Sequence, residues 1–358
     1  MTAPKKYVVG ITDHMFGAPD LEAEVLGDDV EIEFFASTDE ASFDPDRLAR
    51  LDALMVWGAR LGSRSIAHLS RCKGVVRYGV GYEKIDLSAL ADAGIPFANN
   101  PDYGTEEVAD HAVAMILSLH RRLWEHDARA RGYTSGWQVH SLKPLSRSNR
   151  AAVGVVGVGR IGTAVVNRLK PFGFRILGYD PGQPPGHEKA IGYERTDRLD
   201  DLFAQADIIT LHCPANNQTR GILDGSGLSR LKPGAILVNT ARGELLDDLD
   251  ALEASLRNGQ LAAAAIDTLA KEPPREHPLL TAWRDRSDWL EGRLVITPHN
   301  AFYSDHAAIE MRHNAAQTVK ILLDEGRLRN HGVSGCHLET RRQVERLLSR
   351  SDRRANQV

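Results

Sequence analysis

Apolar residues in this chain gather in short runs, and between the runs they recur every three or four positions. In the first hundred residues YVVGITD, DVEIEFFA, DALMVWG, GVVRYGVG and IPFANN read as strands, with LEAEVL and SIAHLSRC as helix-like stretches between them. That alternation predicts a parallel sheet with crossover helices. From Ala151 a second series begins: AAVGVVGVG, FRILGYD, ADIITLHC, AILVNTA, LAAAAID and LVITPHN as strands, again with helices between. The chain is therefore expected to be α/β with two parallel sheets.

Between the two series, residues 105–123 predict one long helix. Thr105 stands as its N-cap, Glu106 and Glu107 in its first turn, and Arg121 and Arg122 in its last, an order of charge that complements the helix dipole. It is apolar nearly all round at Ala112, Val113, Met115, Ile116, Leu117 and Leu119, which predicts burial against a partner domain or subunit. A polar stretch from Gly132 to Arg150 follows. After the second series AIEMRHNAAQTVKILLDEG reads as a helix that returns to the first domain. The division expected is 1–104, completed by 300–331, as one domain; 105–299 as the second; and 332–358 as an arginine-rich tail, mobile or weakly helical.

The length, 358 residues, suits two domains of ordinary size. Lys and Arg number 44 against 48 Asp and Glu, a net charge of −4, so no basic face is available for nucleic acid as a property of the whole chain. No run approaches the roughly 20 apolar residues of a membrane span, and the start lacks a leader-like apolar core. Cys72, Cys213 and Cys336 are scattered without CxxC spacing, which suits a reducing cytoplasm and suggests neither a disulfide framework nor a zinc site.

Three predicted strand ends finish on residues suited to acid-base chemistry: Arg242 in NTARGELLD, Glu272 in AIDTLAKEPP and His299 in ITPHNAF. In open parallel sheets ligands sit outside the carboxyl ends of the strands, so such side chains can serve one substrate. Arginine is a permanent cation that grips a carboxylate in two-pronged fashion, histidine carries a proton near neutral pH, and a carboxylate orients the ring. Each has a plainer alternative: a surface cation, a solvated turn acid, a structural histidine. The set suits a reaction that moves a proton on an anionic small molecule.

Gly157-Val158-Gly159-Arg160-Ile161-Gly162 follows one of these strands and opens a helix, the context required of a dinucleotide-binding fingerprint. The first glycine permits the tight turn, the second lets backbone approach the pyrophosphate, and the third lets helix pack on strand. Asp180 closes the next strand, where an acid binds ribose hydroxyls. A carboxylate there repels the 2′-phosphate of NADP, and Pro181-Gly182-Gln183 brings no arginine to neutralise it. NAD is the expected cofactor.

Together, in order and spacing, GVGRIG, Asp180, NTARGELLD, AIDTLAKEP and TPH resemble the D-isomer-specific 2-hydroxyacid dehydrogenase family, over residues 7 to 330. VVRYGVGYEKID, NPDYGTEEVADH and TPHNAFYSDHAAIEMR are most similar to its C-terminal-binding-protein branch and bacterial relatives. The resemblance implies two Rossmann-like or flavodoxin-like domains with a cleft between them, and a homodimer. It implies hydride transfer between nicotinamide C4 and C2 of a 2-oxo or 2-hydroxy acid. Arg242 would bind the substrate carboxylate, His299 would be the acid-base, and Glu272 would hold the imidazole. The Val80 and Gly81 backbone would cradle the carboxylate, with Arg77 as a further substrate-facing cation. Thr240 and Ala241 would line the nicotinamide, Asp267 would meet its carboxamide, and Cys213 and Pro214 would lie along the adenine pocket.

Phe302 stands where the branch carries a tryptophan over the substrate, so side-chain preference does not transfer. Glu272 in place of glutamine argues against formate as substrate, and Val80 in place of lysine against phosphite. Two alternatives stay open: a short phosphoglycerate-type dehydrogenase, and an NAD(H)-sensing corepressor-like protein. The insertion 281–293 has no role assignable from sequence.

Overall fold

The computed structural model describes residues 6–14, 17–132, 145–246 and 248–328. The expected tail, and most of the polar stretch after Gly132, lie outside the described residues. The chain forms two compact units: one from the segment up to Gly104 together with that from Ser304 onward, the other Thr105–Tyr303.

The first unit holds five strands: β1 (Tyr7–Ile11), β2 (Val30–Phe34), β3 (Ala53–Val56), β4 (Val75–Arg77) and β5 (Phe97–Ala98). All neighbours pair in parallel, in the order β2-β1-β3-β4-β5, a flavodoxin-like arrangement. β3 at the centre is wholly buried, which is why ALMV reads as a continuous apolar run. The helix Asp305–Glu325 packs on the helix Asp20–Leu26 and on β3 and β4. Their contact is fastened by charge: Arg312 donates to Glu22, at 2.7 Å from Nη2 to Oε2, and to Asp20. Glu22 is fully buried and also meets His14 Nε2 at 3.0 Å and the Tyr78 hydroxyl at 3.1 Å. Burial works to raise the Glu22 carboxyl, but His14 and Arg312 outweigh it and hold the group at about 2.

The second unit holds seven strands: β6 (Ala152–Val156), β7 (Arg175–Tyr179), β8 (Glu194–Arg195), β9 (Ile208–Leu211), β10 (Ala235–Asn239), β11 (Leu261–Ile266) and β12 (Leu294–Ile296). They run parallel in the order β12-β11-β10-β9-β6-β7-β8, which is the doubly wound Rossmann order with a seventh strand added at the β12 edge. The strand order reverses between β6 and β9. A ligand crevice belongs at that point.

Two sequence expectations change here. The helix expected over 105–123 ends at His120, with Arg122 just beyond it in a left-handed backbone at φ +50°, and a separate helix that the sequence reading did not assign follows at Leu123–Arg131. Thr105 is the first helical residue rather than a cap, and its buried hydroxyl has no partner among the described residues. The apolar side of Thr105–His120 is taken up within its own unit by the helix Arg160–Leu169 and by β10 and β11, so its composition needs no second subunit to explain it. The 281–293 insertion also gains a role. Its last residue, Arg293, donates to the carbonyls of Leu256 (2.7 Å), Ala262 (2.9 Å) and Trp289 (2.8 Å), tying the start of β11 to the helix before it.

Candidate active site and dinucleotide site

The fingerprint turn lies at the reversal between β6 and β9. Gly157 has φ +89°, and a Cβ there would come within 2.6 Å of the Cys213 amide nitrogen, so the backbone after β6 runs directly against that after β9. A Cβ on Gly162 would meet the Gly157 carbonyl oxygen at 2.0 Å, which fixes the helix Arg160–Leu169 on its strand. Gly159 differs: a Cβ there meets nothing within 4 Å, and no side chain caps the helix that follows. A helix N-terminus without a side-chain cap, beside a glycine with open space around it, is the arrangement that holds a pyrophosphate. Arg160 and Ile161 form the first turn of this helix.

Asp180 follows β7 and is half-buried. Its carboxylate accepts from the Val158 amide at 2.8 Å and the Gly182 amide at 2.9 Å, and so is fixed beside the glycine turn. Sequence reading missed Arg195, which donates to the Gln183 carbonyl at 3.1 Å in the same loop. That cation is already engaged by Asp197 and Glu188. Cys213 is buried, and burial pushes its thiol up to about 12; it lines the turn as a small apolar group. Pro214 follows, its carbonyl accepting from Thr219. These residues fit a dinucleotide.

Beyond β10 the turn that carries Arg242 is shaped by Asn239, whose side-chain oxygen accepts from the Ala241 amide and whose NH2 donates to the Arg242 carbonyl at 2.8 Å. Thr240 is buried with its hydroxyl unpartnered among the described residues, and Ala241 is half-buried. Gly243 comes next. A Cβ there would lie 1.9 Å from the Leu269 carbonyl carbon, so backbone contact joins the Arg242 turn to the loop beyond β11.

That loop carries Glu272. One oxygen accepts from the Leu269 amide at 2.8 Å and the other lies 2.7 Å from His299 Nδ1. Burial acts to raise the Glu272 carboxyl, but the His299 bond, the Leu269 amide and the Arg242 charge outweigh it and leave it below the ordinary value. His299 takes a left-handed backbone, φ +54°, which costs a non-glycine residue on the order of 1–3 kcal/mol. Asp267, nearly fully buried at the end of β11, accepts from the Thr297 hydroxyl and from the amides of Asn300 and Ala301. Phe302 follows, ring to ring with Tyr303.

In the first unit, Arg77 at the end of β4 donates to the Val56 carbonyl at 3.3 Å and lies over the Trp57 ring, 5.2 Å from its centroid. Asn99 donates to the Val80 carbonyl at 2.7 Å, and the Asn100 amide donates to Gly79. The 79–81 loop is thereby held by the Asn99 side chain, which the sequence reading passed over, and by the Asn100 backbone N–H. Gly81 is half-buried, Val80 exposed. Among the described residues no group of acids, cysteines and histidines is placed to hold a metal ion.

The model of the D-isomer specific 2-hydroxyacid dehydrogenase NAD-binding domain matches residues 113–301. A D-3-phosphoglycerate dehydrogenase of Mycobacterium leprae is 33% identical over 299 residues, covering 83% of this chain and 54% of that protein. The chain spans about half the length of the curated relatives it matches. Among solved structures, a D-lactate dehydrogenase of Aquifex aeolicus complexed with NAD and lactic acid superposes with a TM-score of 0.76 at 27% identity, covering 88% of this chain and 95% of that one. An NADPH-dependent glyoxylate/hydroxypyruvate reductase of Sinorhizobium meliloti gives 0.77 at 26% identity, covering 91% and 96%. The chain belongs to the D-isomer specific 2-hydroxyacid dehydrogenase family and carries the family's NAD-binding domain.

Proposed function

We propose that this protein is an NAD-dependent dehydrogenase of 2-hydroxy acids, or equally a 2-oxo acid reductase, with His299, Glu272 and Arg242 as its chemical set. The observation that carries the proposal is the 2.7 Å contact between His299 Nδ1 and Glu272, with Arg242 joined to the same loop through Gly243. With Nδ1 held by the carboxylate, Nε2 is the ring nitrogen left to give a proton to a substrate carbonyl oxygen, or to take one from a hydroxyl. Arg242 holds the substrate carboxylate and draws charge toward the reacting carbon. Arg77, the amides of Val80 and Gly81, and Phe302 belong to the same reading as substrate contacts. Gly157, Gly159 and Gly162 with Arg160 and Ile161 hold the pyrophosphate, Asp180 the ribose, Cys213 and Pro214 the adenine side, and Thr240, Ala241 and Asp267 the nicotinamide side. When bound, NAD(H) supplies or accepts the two electrons.

The relatives divide between phosphoglycerate, lactate and glyoxylate chemistry, so the deciding experiment is a panel. Purified protein is expected to oxidise NADH with at least one of glyoxylate, hydroxypyruvate or a bulkier 2-oxo acid; no turnover with any of them would favour the corepressor-like, NAD(H)-sensing reading. A second reading, a short 3-phosphoglycerate dehydrogenase, is favoured by the curated relatives and is tested by adding that substrate. Asp180 sets the cofactor arm: NADH should bind at least about tenfold tighter than NADPH, and Asp180→Ala should narrow the gap. A homodimer in the cytoplasm completes the proposal. Leu123, Trp124 and Trp283 remain exposed on the second unit as apolar surface for it, and sedimentation at micromolar concentration reads the mass.

A further inference from the structure

His299 sits in a strained conformation, and such a residue keeps it only when its surroundings over-determine it. Most of the backbone determinants lie on one neighbour, with the Thr297 carbonyl sharing the His299 amide at 3.0 Å. The Asp267 carbonyl accepts from the His299 amide at 2.8 Å, while its carboxylate accepts from Asn300 at 3.1 Å through one oxygen and from Ala301 at 3.2 Å through the other. Three successive amides of the histidine turn thus end on a single aspartate. What aims that aspartate lies farther back. The Thr297 hydroxyl donates to its Oδ1 at 2.6 Å, and His111, on the helix Thr105–His120, meets the same hydroxyl at 3.2 Å through Nε2.

The hydrogens can be placed by counting. A threonine hydroxyl has one hydrogen and gives it to Asp267, so toward His111 it can only accept; Nε2 of His111 must carry a hydrogen. Donation runs from His111 to Thr297 to Asp267, and the amides of the turn donate into the same carboxylate from the other side. A carboxylate offers about four acceptor sites, and among the described residues three are used, two on Oδ1 and one on Oδ2. One site on Oδ2 is left, enough for a single further donor such as a carboxamide N–H.

We propose that His111 and Thr297 are positioning residues for His299, acting through Asp267 to hold the imidazole in line for proton transfer while leaving Asp267 able to receive the cofactor amide. The proposal rests on His299 being the acid-base group. Neither His111 nor Thr297 touches substrate in this scheme.

The test uses Thr297→Val, which keeps the shape and removes the hydroxyl, against Thr297→Ser, which restores it. His111→Leu serves as an independent break one step farther back and stands in should the valine variant fold poorly. Three quantities are read: amide hydrogen exchange of the 299–301 segment in the cofactor-free protein, NADH affinity by fluorescence, and kcat and KM with the best 2-oxo acid. Thr297→Val should speed exchange at Asn300 and Ala301 and lower kcat about tenfold, the scale of a small misplacement of a catalytic group, with KM and NADH affinity within about twofold. Thr297→Ser should match the parent, and His111→Leu should shift both readouts in the valine direction. Parent-like exchange and kcat in Thr297→Val would overturn the proposal, as would a serine variant as impaired as the valine one, which would point to packing of the methyl group. If His299→Ala keeps full turnover, the functional reading has failed instead; the exchange arm still reports whether the relay holds the turn.

Discussion

At the residue scale the chemistry rests on one ion pair whose members stand 27 positions apart. Replacing His299 by alanine should slow reduction of the best 2-oxo acid by about 10²- to 10⁴-fold with NADH binding unchanged, the usual span for a positioned acid-base group. Glu272→Gln acts otherwise. Glu272 is held below its ordinary value, so it is negative throughout the neutral range beside the ring. A neutral amide there keeps the shape but removes the charge that steadies the ring during proton transfer, so kcat should fall by about 10- to 100-fold, less than for the alanine variant, with NADH affinity unchanged. A parent-like kcat in Glu272→Gln would remove the carboxylate from this role. The positions of Arg242, Glu272 and His299 were legible because each follows an apolar run that is unmistakably a strand. Asn99, Asn100, Thr297 and His111 were not, since their hydrogen bonds join segments distant in sequence and no local pattern encodes those; Asn239 shapes the turn two and three residues ahead of it and was passed over inside NTARGE.

At the element scale, Gly243 is the joint between two strand-end loops. A methyl group added there must move the Leu269–Ala270 backbone, which overpacking of this kind makes costly by about 1–3 kcal/mol. Gly243→Ala should therefore lower the melting temperature by several degrees and reduce kcat more than it raises the NADH Kd. Gly225→Ala is the control, because a Cβ there meets only the Ala251 methyl at 3.6 Å. Equal effects at the two sites would dissociate the joint from the chemistry. The strands were easy to read from their uninterrupted apolar runs, whereas the helix Leu123–Arg131 was hidden: it is short and highly charged and buries no side chain, so no apolar face marks it. β8, two residues at the sheet edge with no buried side chain, leaves no apolar signal at all.

At the scale of the whole molecule, the division of the chain at Gly104 and Ser304 makes the buried Glu22–Arg312 pair the fastening of the first unit. Its pH sign follows from the depressed carboxyl. The unfolded chain protonates Glu22 near its ordinary value of 4.5 and the folded one only near 2, so the pair's stabilisation is complete above that ordinary range and is lost as pH falls from about 4.5 to about 2. Glu22→Gln should lower the melting temperature at pH 7, and the gap to the parent should close as the pH is brought toward 3; a constant gap would show that the charge is not what stabilises. A strand-by-strand reading gave no hint of this pair, whose partners lie 290 residues apart.

The same division has a consequence during synthesis. The first unit's sheet leaves the ribosome early, but the helix carrying Arg312 comes only after the whole of Thr105–Tyr303. At ordinary elongation rates that is a wait of roughly 10–40 s, during which Glu22 and Tyr78 have no guanidinium to close over. The second unit is continuous and waits for nothing. The unit whose sheet emerges earlier is thus expected to finish folding later, and chains truncated and released after Tyr303 should protect the second unit from protease while leaving the first open to it.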